Sequence, residues 1–439
     1  MTKIKRRYDK PFSVKKEYLE WFLVSVLLIL SFFSTITLVL LFVYLITFIK
    51  QREVGAIKII NILTLRSVIN PGLAVSIGQL QNLKWVLVLG CAMYLLISYR
   101  KMNKDQREKI NKVSFFIIIF AVYSIISSLV FSSLPIVAVF KILSYTITFL
   151  GIVFGVVYTA NKINWLNWLI KLLSLAILPS VLLIELSVGY LRNGLSFQGF
   201  INHPNLFGVV VSLFIALLFT YKQKTRVSFR MNFFLIIIIS YAIYLIVLSG
   251  SRTALISFFA MLSLFIIFSN IKIHFKYIIF LFTFSIAAFL PKVRESLLSF
   301  MNDFLYKGNE DLLYSRSGQV EGLMNNFLSN PIFGTGFQVP VLFNKSYEFS
   351  FDYIVEPGNL FLAVLSYGGI IGLTLFSIYI FQIFIVGIKN FKNSGFLFVI
   401  PIMISMGEMV FFSTNNIGIW CYMCFAIYLT STIERESFK

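Results

Sequence analysis

Charge is scarce in this chain. Only 13% of its 439 residues are charged, with 18 Asp and Glu against 38 Lys and Arg. So little polar surface cannot keep a folded protein of this size in solution, and the mean hydropathy of +0.87 excludes an ordinary soluble domain. Histidine occurs twice and cysteine three times, at Cys91, Cys421 and Cys424. All three cysteines fall in apolar runs, so no disulfide framework can be read. The C-x-x-C of Cys421 and Cys424 has no partner pair and reads as packing rather than metal or redox chemistry. No spacing of His, Cys, Asp and Glu suggests a metal site. There is no P-loop, no dinucleotide-binding glycine pattern and no G-x-S-x-G elbow. No cofactor is implied.

What the chain has in abundance is long apolar runs of about 17–25 residues, the length that crosses a bilayer as a helix. Backbone polar groups in lipid must be paired within the segment, so the runs are helices; barrel strands would alternate instead. The expected fold is an all-α polytopic membrane protein with about twelve transmembrane helices. Spans are expected at 19–48, 83–99, 113–131, 136–158, 165–188, 204–220, 232–248, 253–269 and 275–290, then at 359–385, 396–412 and 417–432. The run at 19–48 is long enough for one tilted helix or two short ones. Residues 50–82 are half apolar, broken by Arg66 and Asn70-Pro71-Gly72, and read as an interfacial or re-entrant helix pair. The basic N-terminus leads into a retained first span rather than a cleaved signal.

The net charge of +20 could suggest nucleic acid. In a membrane protein it reads instead as Lys and Arg held on the cytoplasmic side. Counting spans from a cytoplasmic N-terminus puts RKMNKDQREKINK, YKQKTRVSFR, NIKIHFK and IKNFKNSG inside, together with the C-terminus. The weak point is 50–82, placed outside with Lys50, Arg52, Lys58 and Arg66. On this count the chain divides into a membrane region of about nine spans at 1–290, an extracytoplasmic loop at 291–358, and a membrane region of about three spans at 359–439. The loop is the only long polar interruption. Within it Val320, Leu323, Met324, Phe327 and Leu328 recur at helical spacing, so it carries an amphipathic helix, stopped by Asn330-Pro331 and followed by turns at Gly334 and Gly336.

Three spans enter the membrane from the outer face at GFINHPNLFG, LSGSRTAL and VEPGNLFL. Helix N-termini there expose unpaired N–H groups that suit an anion such as phosphate. Arg252 follows a Gly-Ser turn at the head of an apolar helix, where an arginine is costly, and its guanidinium matches phosphate oxygens. Arg316 stands just ahead of the amphipathic helix. His203 fits a donor to a sugar hydroxyl or a base, and Glu356 a carboxylate base. Asn205, Ser251 and Asn359 lie beside these residues as substrate-binding candidates. Glu185, inside the fifth expected span, requires a partner in Arg192 or Arg252, and Arg192 is a further substrate-binding candidate. Glu408 and Lys141 also fall in spans and receive no role.

The order GFINHPNLFG, SGSRTAL, YSRSGQVEGLMNNFLSNPIFGTGF and PGNLFLAVLSYGGIIGL resembles the O-antigen polymerase and ligase superfamily, to which bacterial capsule and exopolysaccharide polymerases of the Wzy type belong. The resemblance covers residues 187–372. It implies metal-independent glycosyl transfer at the outer face of the cytoplasmic membrane, from an undecaprenyl-pyrophosphate-linked oligosaccharide to another lipid-linked repeat unit. By the same resemblance Arg252 and Arg316 hold the pyrophosphate and His203 matches the H-P-N element. Ligases of this superfamily often carry His before the last motif's Asn; Gly358 stands there, which favours a polymerase. Implied partners are the lipid bilayer, a chain-length regulator and a flippase, with no nucleic acid. The alternatives are a ligase that moves finished glycan to another acceptor, a lipid-linked oligosaccharide transporter or flippase, and a non-catalytic scaffold. A transporter would place polar groups at mid-membrane and often show related halves, and neither is seen.

Overall fold

The computed structural model describes residues 11–191, 194–225, 228–268, 317–339 and 358–436. The expected span at 275–290 and most of the loop at 291–358 lie outside them. The described chain is all helix and turn, joined by two isolated bridges, Ile69 with Ile201 and Tyr190 with Phe197. Among the described residues seven helices are long and apolar enough to cross a membrane, and four shorter apolar helices accompany them.

The helices are α1 (Pro11–Leu30), α2 (Thr35–Thr47), α3 (Glu53–Ser67), α4 (Gln81–Leu96), the short α5 (Ser98–Lys101), α6 (Lys104–Phe131), α7 (Pro135–Thr159), α8 (Trp165–Ile177), α9 (Pro204–Lys224), α10 (Phe229–Ser249) and α11 (Arg252–Phe268). Then come α12 (Ser317–Ser329), α13 (Leu360–Gly387), the short α14 (Phe391–Ser394), α15 (Phe396–Ser405) and α16 (Gly418–Glu436). Their ends carry the local signals that begin and stop helices. Ser34, Asn164, Ser228 and Asn359 cap α2, α8, α10 and α13 through their side chains. Asn103 and Gln106 form a reciprocal capping box on α6. Gly250 closes α10 at φ 62°, a conformation open to glycine.

Contacts sort the loops onto two faces. On the upper face Ile69 pairs with Ile201, Phe197 N–H donates to Leu248 O at 3.1 Å, and Lys84 Nζ donates to Asn415 O at 2.8 Å. On the lower face Glu53 pairs with Lys101, Glu20 with Lys58, and Gln106 Nε2 donates to Val157 O at 3.1 Å. Two helices are wrapped by the rest. α7 packs against α3, α4, α6 and α16, and α9 against α8, α10, α11 and α15. Both are apolar all round, as buried helices are. α16 is likewise buried from Ile419 to Leu429, with Cys421 and Cys424 inside it. The outward faces of α1, α2 and α10 expose Phe22, Ile36, Phe233 and Ile237, as lipid contact requires.

The expected first span is two helices, broken at Ser31–Ser34. Arg66 holds the break: its Nε donates to Ser31 Oγ at 2.8 Å, and a terminal nitrogen donates to Ser31 O and Val75 O. The expected re-entrant pair at 50–82 is instead a single buried helix, α3, running from the lower face at Glu53 to the upper face at Ser67. Protein rather than lipid surrounds it, so it tolerates Lys58, Asn61 and Arg66, which disguise it in a hydropathy scan. Because α2 and α3 add two crossings, the alternation of all later helices is unchanged. Lys50 and Arg52 then fall on the lower face, which removes the weak point of the count. The expected span at 165–188 also ends early. α8 gives way after Ile177 to a 3-10 turn over Leu178–Leu183, and Glu185 is exposed beyond it. No burial penalty therefore demands an ion partner for Glu185.

Candidate functional site on the upper face

Three close approaches build the site. α9 crosses α11 at Gly208, where an added Cβ would lie 2.5 Å from Ser251 Cβ. The link between α15 and α16 crosses the head of α11 at Gly407, where an added Cβ would lie 1.8 Å from Thr253 Oγ1. A cross-link then joins the outer pieces: Asn205 Nδ2 donates to Glu408 Oε1 at 2.8 Å. His203, Asn205, Ser251, Arg252 and Glu408 thus share one corner of the upper face.

Each side chain has a defined local setting. His203 is the exposed cap of α9, ahead of Pro204 at the first helical position. Asn205 N–H donates to its Nδ1 at 3.2 Å, so the neutral ring carries its proton on Nε2. Ser251 is buried and caps α11, its Oγ accepting from Ala254 N at 3.4 Å. Arg252 is the first residue of α11 and half-buried. Asn359 caps α13, accepting from Leu362 N at 3.1 Å, on a helix that packs chiefly against α6, α12 and α16. Arg192, Arg316 and Glu356 lie outside the described residues. Glu408 had no role in the sequence reading. The Gly407-Glu408 pair, a small residue beside a carboxylate in an apolar run, was the signal available for it.

A second construction stands beside this corner. The expected amphipathic helix is present as α12, with Leu323 buried and Leu328 exposed. The turn after it docks into a break in α13 at Gly369, where φ is 62° and ψ is −162°. The break frees backbone groups that the turn satisfies. Thr335 N–H donates to Ser366 O and Gly336 N–H to Tyr367 O, both at 3.0 Å, while Ile370 N–H donates to Pro331 O at 2.9 Å. Contact is so close that an added Cβ on Gly334 would sit 2.4 Å from Tyr367 O, and one on Gly369 2.2 Å from Ile332 O. Polar residues inside α6 and α7 hold the turn and the broken helix from the other side. Ser127 Oγ donates to Phe333 O at 2.6 Å, Tyr123 Oη to Gly368 O at 2.7 Å, and Lys141 Nζ to Gln338 O at 2.7 Å. Lys141 therefore serves the turn. Phe337 fills a buried aromatic cluster with Phe120, Tyr145 and Phe412.

Chemically, the corner offers a guanidinium and two helix heads for an anion, an imidazole N–H donor, and a carboxylate held by an amide. Among the described residues no three of His, Cys, Asp and Glu gather closely enough to hold a metal ion. Residues 237–377 match a protein family described as O-antigen ligase. That segment runs from α10 through Arg252, α12 and the Gly369 break. No curated protein matches the chain. The match points to a membrane enzyme that processes glycans, for which a bilayer and a lipid-linked glycan are the fitting surroundings. With its all-helical membrane architecture, the chain carries a domain of the O-antigen polymerase and ligase superfamily.

Proposed function

We propose that the protein polymerises a polysaccharide, moving glycan from an undecaprenyl-pyrophosphate-linked donor onto a second lipid-linked repeat unit at the outer face of the bacterial cytoplasmic membrane. The observation that carries this reading is the corner itself, where a half-buried arginine at a helix head stands with His203 and the Asn205–Glu408 pair. The upper face is the outer one. Lys50, Arg52, Arg100, Lys101, Lys162, Lys222, Lys389 and Lys392 gather at the lower face, as residues kept in the cytoplasm do. Both described termini lie on that lower side.

In the reaction the acceptor's hydroxyl loses its proton to a base as its oxygen bonds to the anomeric carbon of the donor. The bond from that carbon to the pyrophosphate breaks, and the lipid pyrophosphate leaves with the electron pair. The leaving group is already activated, so no nucleotide is needed outside the cell. Arg252, joined by Arg316, stabilises the charge that develops on it. Ser251 fixes the head of α11 that presents Arg252, and His203 Nε2–H donates to a sugar oxygen. Asn359 and Arg192 bind the glycan, and Glu356 is the carboxylate base that the sequence offers for the acceptor hydroxyl. A chain-length regulator and a flippase work alongside.

A ligase uses the same chemistry with another acceptor, and the family match is equally consistent with it. Gly358, where such ligases often have His, favours the polymerase. A strain lacking the protein separates the two. Single repeat units left on lipid support the polymerase, and long unattached polymer supports the ligase.

A further inference from the structure

We infer that Glu408 is the base that takes the acceptor's proton, and that Asn205 is its positioning residue. This rests on the glycosyl-transfer reading and adds a residue to it. Transfer requires the acceptor hydroxyl to lose a proton as its oxygen bonds to the anomeric carbon and the pyrophosphate departs. The proton passes to a Glu408 carboxylate oxygen and from there to water, which restores the carboxylate.

Geometry separates the two groups at this corner that could accept it. His203 Nδ1 accepts from Asn205 N–H, so the neutral ring presents a proton and not a lone pair at Nε2. Glu408 presents a carboxylate, and Asn205 Nδ2 on its Oε1 fixes the group's orientation. The placement is built from both sides. Gly407 presses the peptide carrying Glu408 onto Thr253, the residue after Arg252. Glu408 N–H is also tied back to Ile404 O at 2.9 Å, continuing the last turn of α15. A carboxylate in an apolar run such as ISMGEMVFF is costly, and an ionisable group kept there marks function more often than packing. Glutamine keeps an oxygen that accepts the Asn205 bond but is no longer basic, so this substitution removes the proton acceptor and leaves the Asn205 contact in place.

That substitution is the test. Purified wild-type protein, Glu408→Gln, Glu408→Asp and Arg252→Ala are incubated with undecaprenyl-pyrophosphate-linked repeat units, and release of lipid pyrophosphate is followed. The expected result for Glu408→Gln is a fall in kcat of about 10²-fold or more, the usual worth of a positioned base, with KM for the donor held. Glu408→Asp, which keeps a carboxylate on a shorter arm, falls between Gln and wild type and covers the case in which Gln does not fold. Asn205→Ala lowers kcat less than Glu408→Gln, again at constant KM. Wild-type turnover by Glu408→Gln, or a loss confined to KM, overturns the assignment while leaving the function standing, provided that Arg252→Ala has lost activity. A wild-type protein that releases no lipid pyrophosphate overturns both.

Discussion

At the scale of single residues, Arg252 and His203 are separable by substitution. Arg252→Lys keeps a positive charge but loses the planar fork that meets two phosphate oxygens, so partial activity is expected. Arg252→Ala removes the charge, and kcat should fall about 10²–10³-fold. Steady-state rates of lipid pyrophosphate release check the order. His203→Asn is expected to keep the fold, because Asn is among the best helix caps, while losing the ring donor. His203→Leu should lose the cap as well, at about 1 kcal/mol of stability. Thermal unfolding in detergent beside turnover tells cap from chemistry. These two residues were legible in the sequence because each sits in a short local motif, beside Pro204 or after Gly250-Ser251. Glu408 was not, since the contact that gives it meaning reaches Asn205 across 203 positions. Lys141 was hidden in the same way, its acceptor being the backbone of Gln338.

At the scale of elements, the docked turn and the broken helix make one unit. Gly369→Ala forces a side chain into φ 62° and into Ile332 O, and should cost at least about 1–3 kcal/mol. Gly90 supplies the contrast. It is helical, exposed and has nothing within 4 Å of an added Cβ, so Gly90→Ala should raise stability by up to about 1 kcal/mol. Thermal unfolding of both in one detergent compares them directly; equal stability would show that the interlock holds nothing. The sequence marked the turn through Gly334 and Gly336, and the amphipathic helix through its periodicity. It could not show that the turn feeds hydrogen bonds to a break in another helix, because nothing local in SYGGIIG says where the freed carbonyls find donors. α3 is hidden for a related reason. A hydropathy pattern assumes lipid around a helix, and α3 is surrounded by protein.

At the scale of the whole molecule, the alternation of later helices is as expected because residues 19–48 form two helices and residues 50–82 contribute a third, adding two crossings and not one. The orientation that follows is open to labelling. Ser133 and Asn161 are exposed, at the upper α6–α7 turn and the lower turn after α7. With Cys91 replaced and Cys421 and Cys424 buried, Ser133→Cys should react with an impermeant maleimide on intact cells, and Asn161→Cys only after permeabilisation. The reverse pattern would move the candidate site to the cytoplasmic side.

Polymerisation from a lipid-pyrophosphate donor is tested most directly by reconstitution. Purified protein in vesicles with undecaprenyl-pyrophosphate-linked repeat units alone should yield a ladder of lengthening glycan on lipid, with lipid pyrophosphate released for each unit added. Donor recovered intact, or glycan consumed only when a non-repeat acceptor is supplied, would contradict the account.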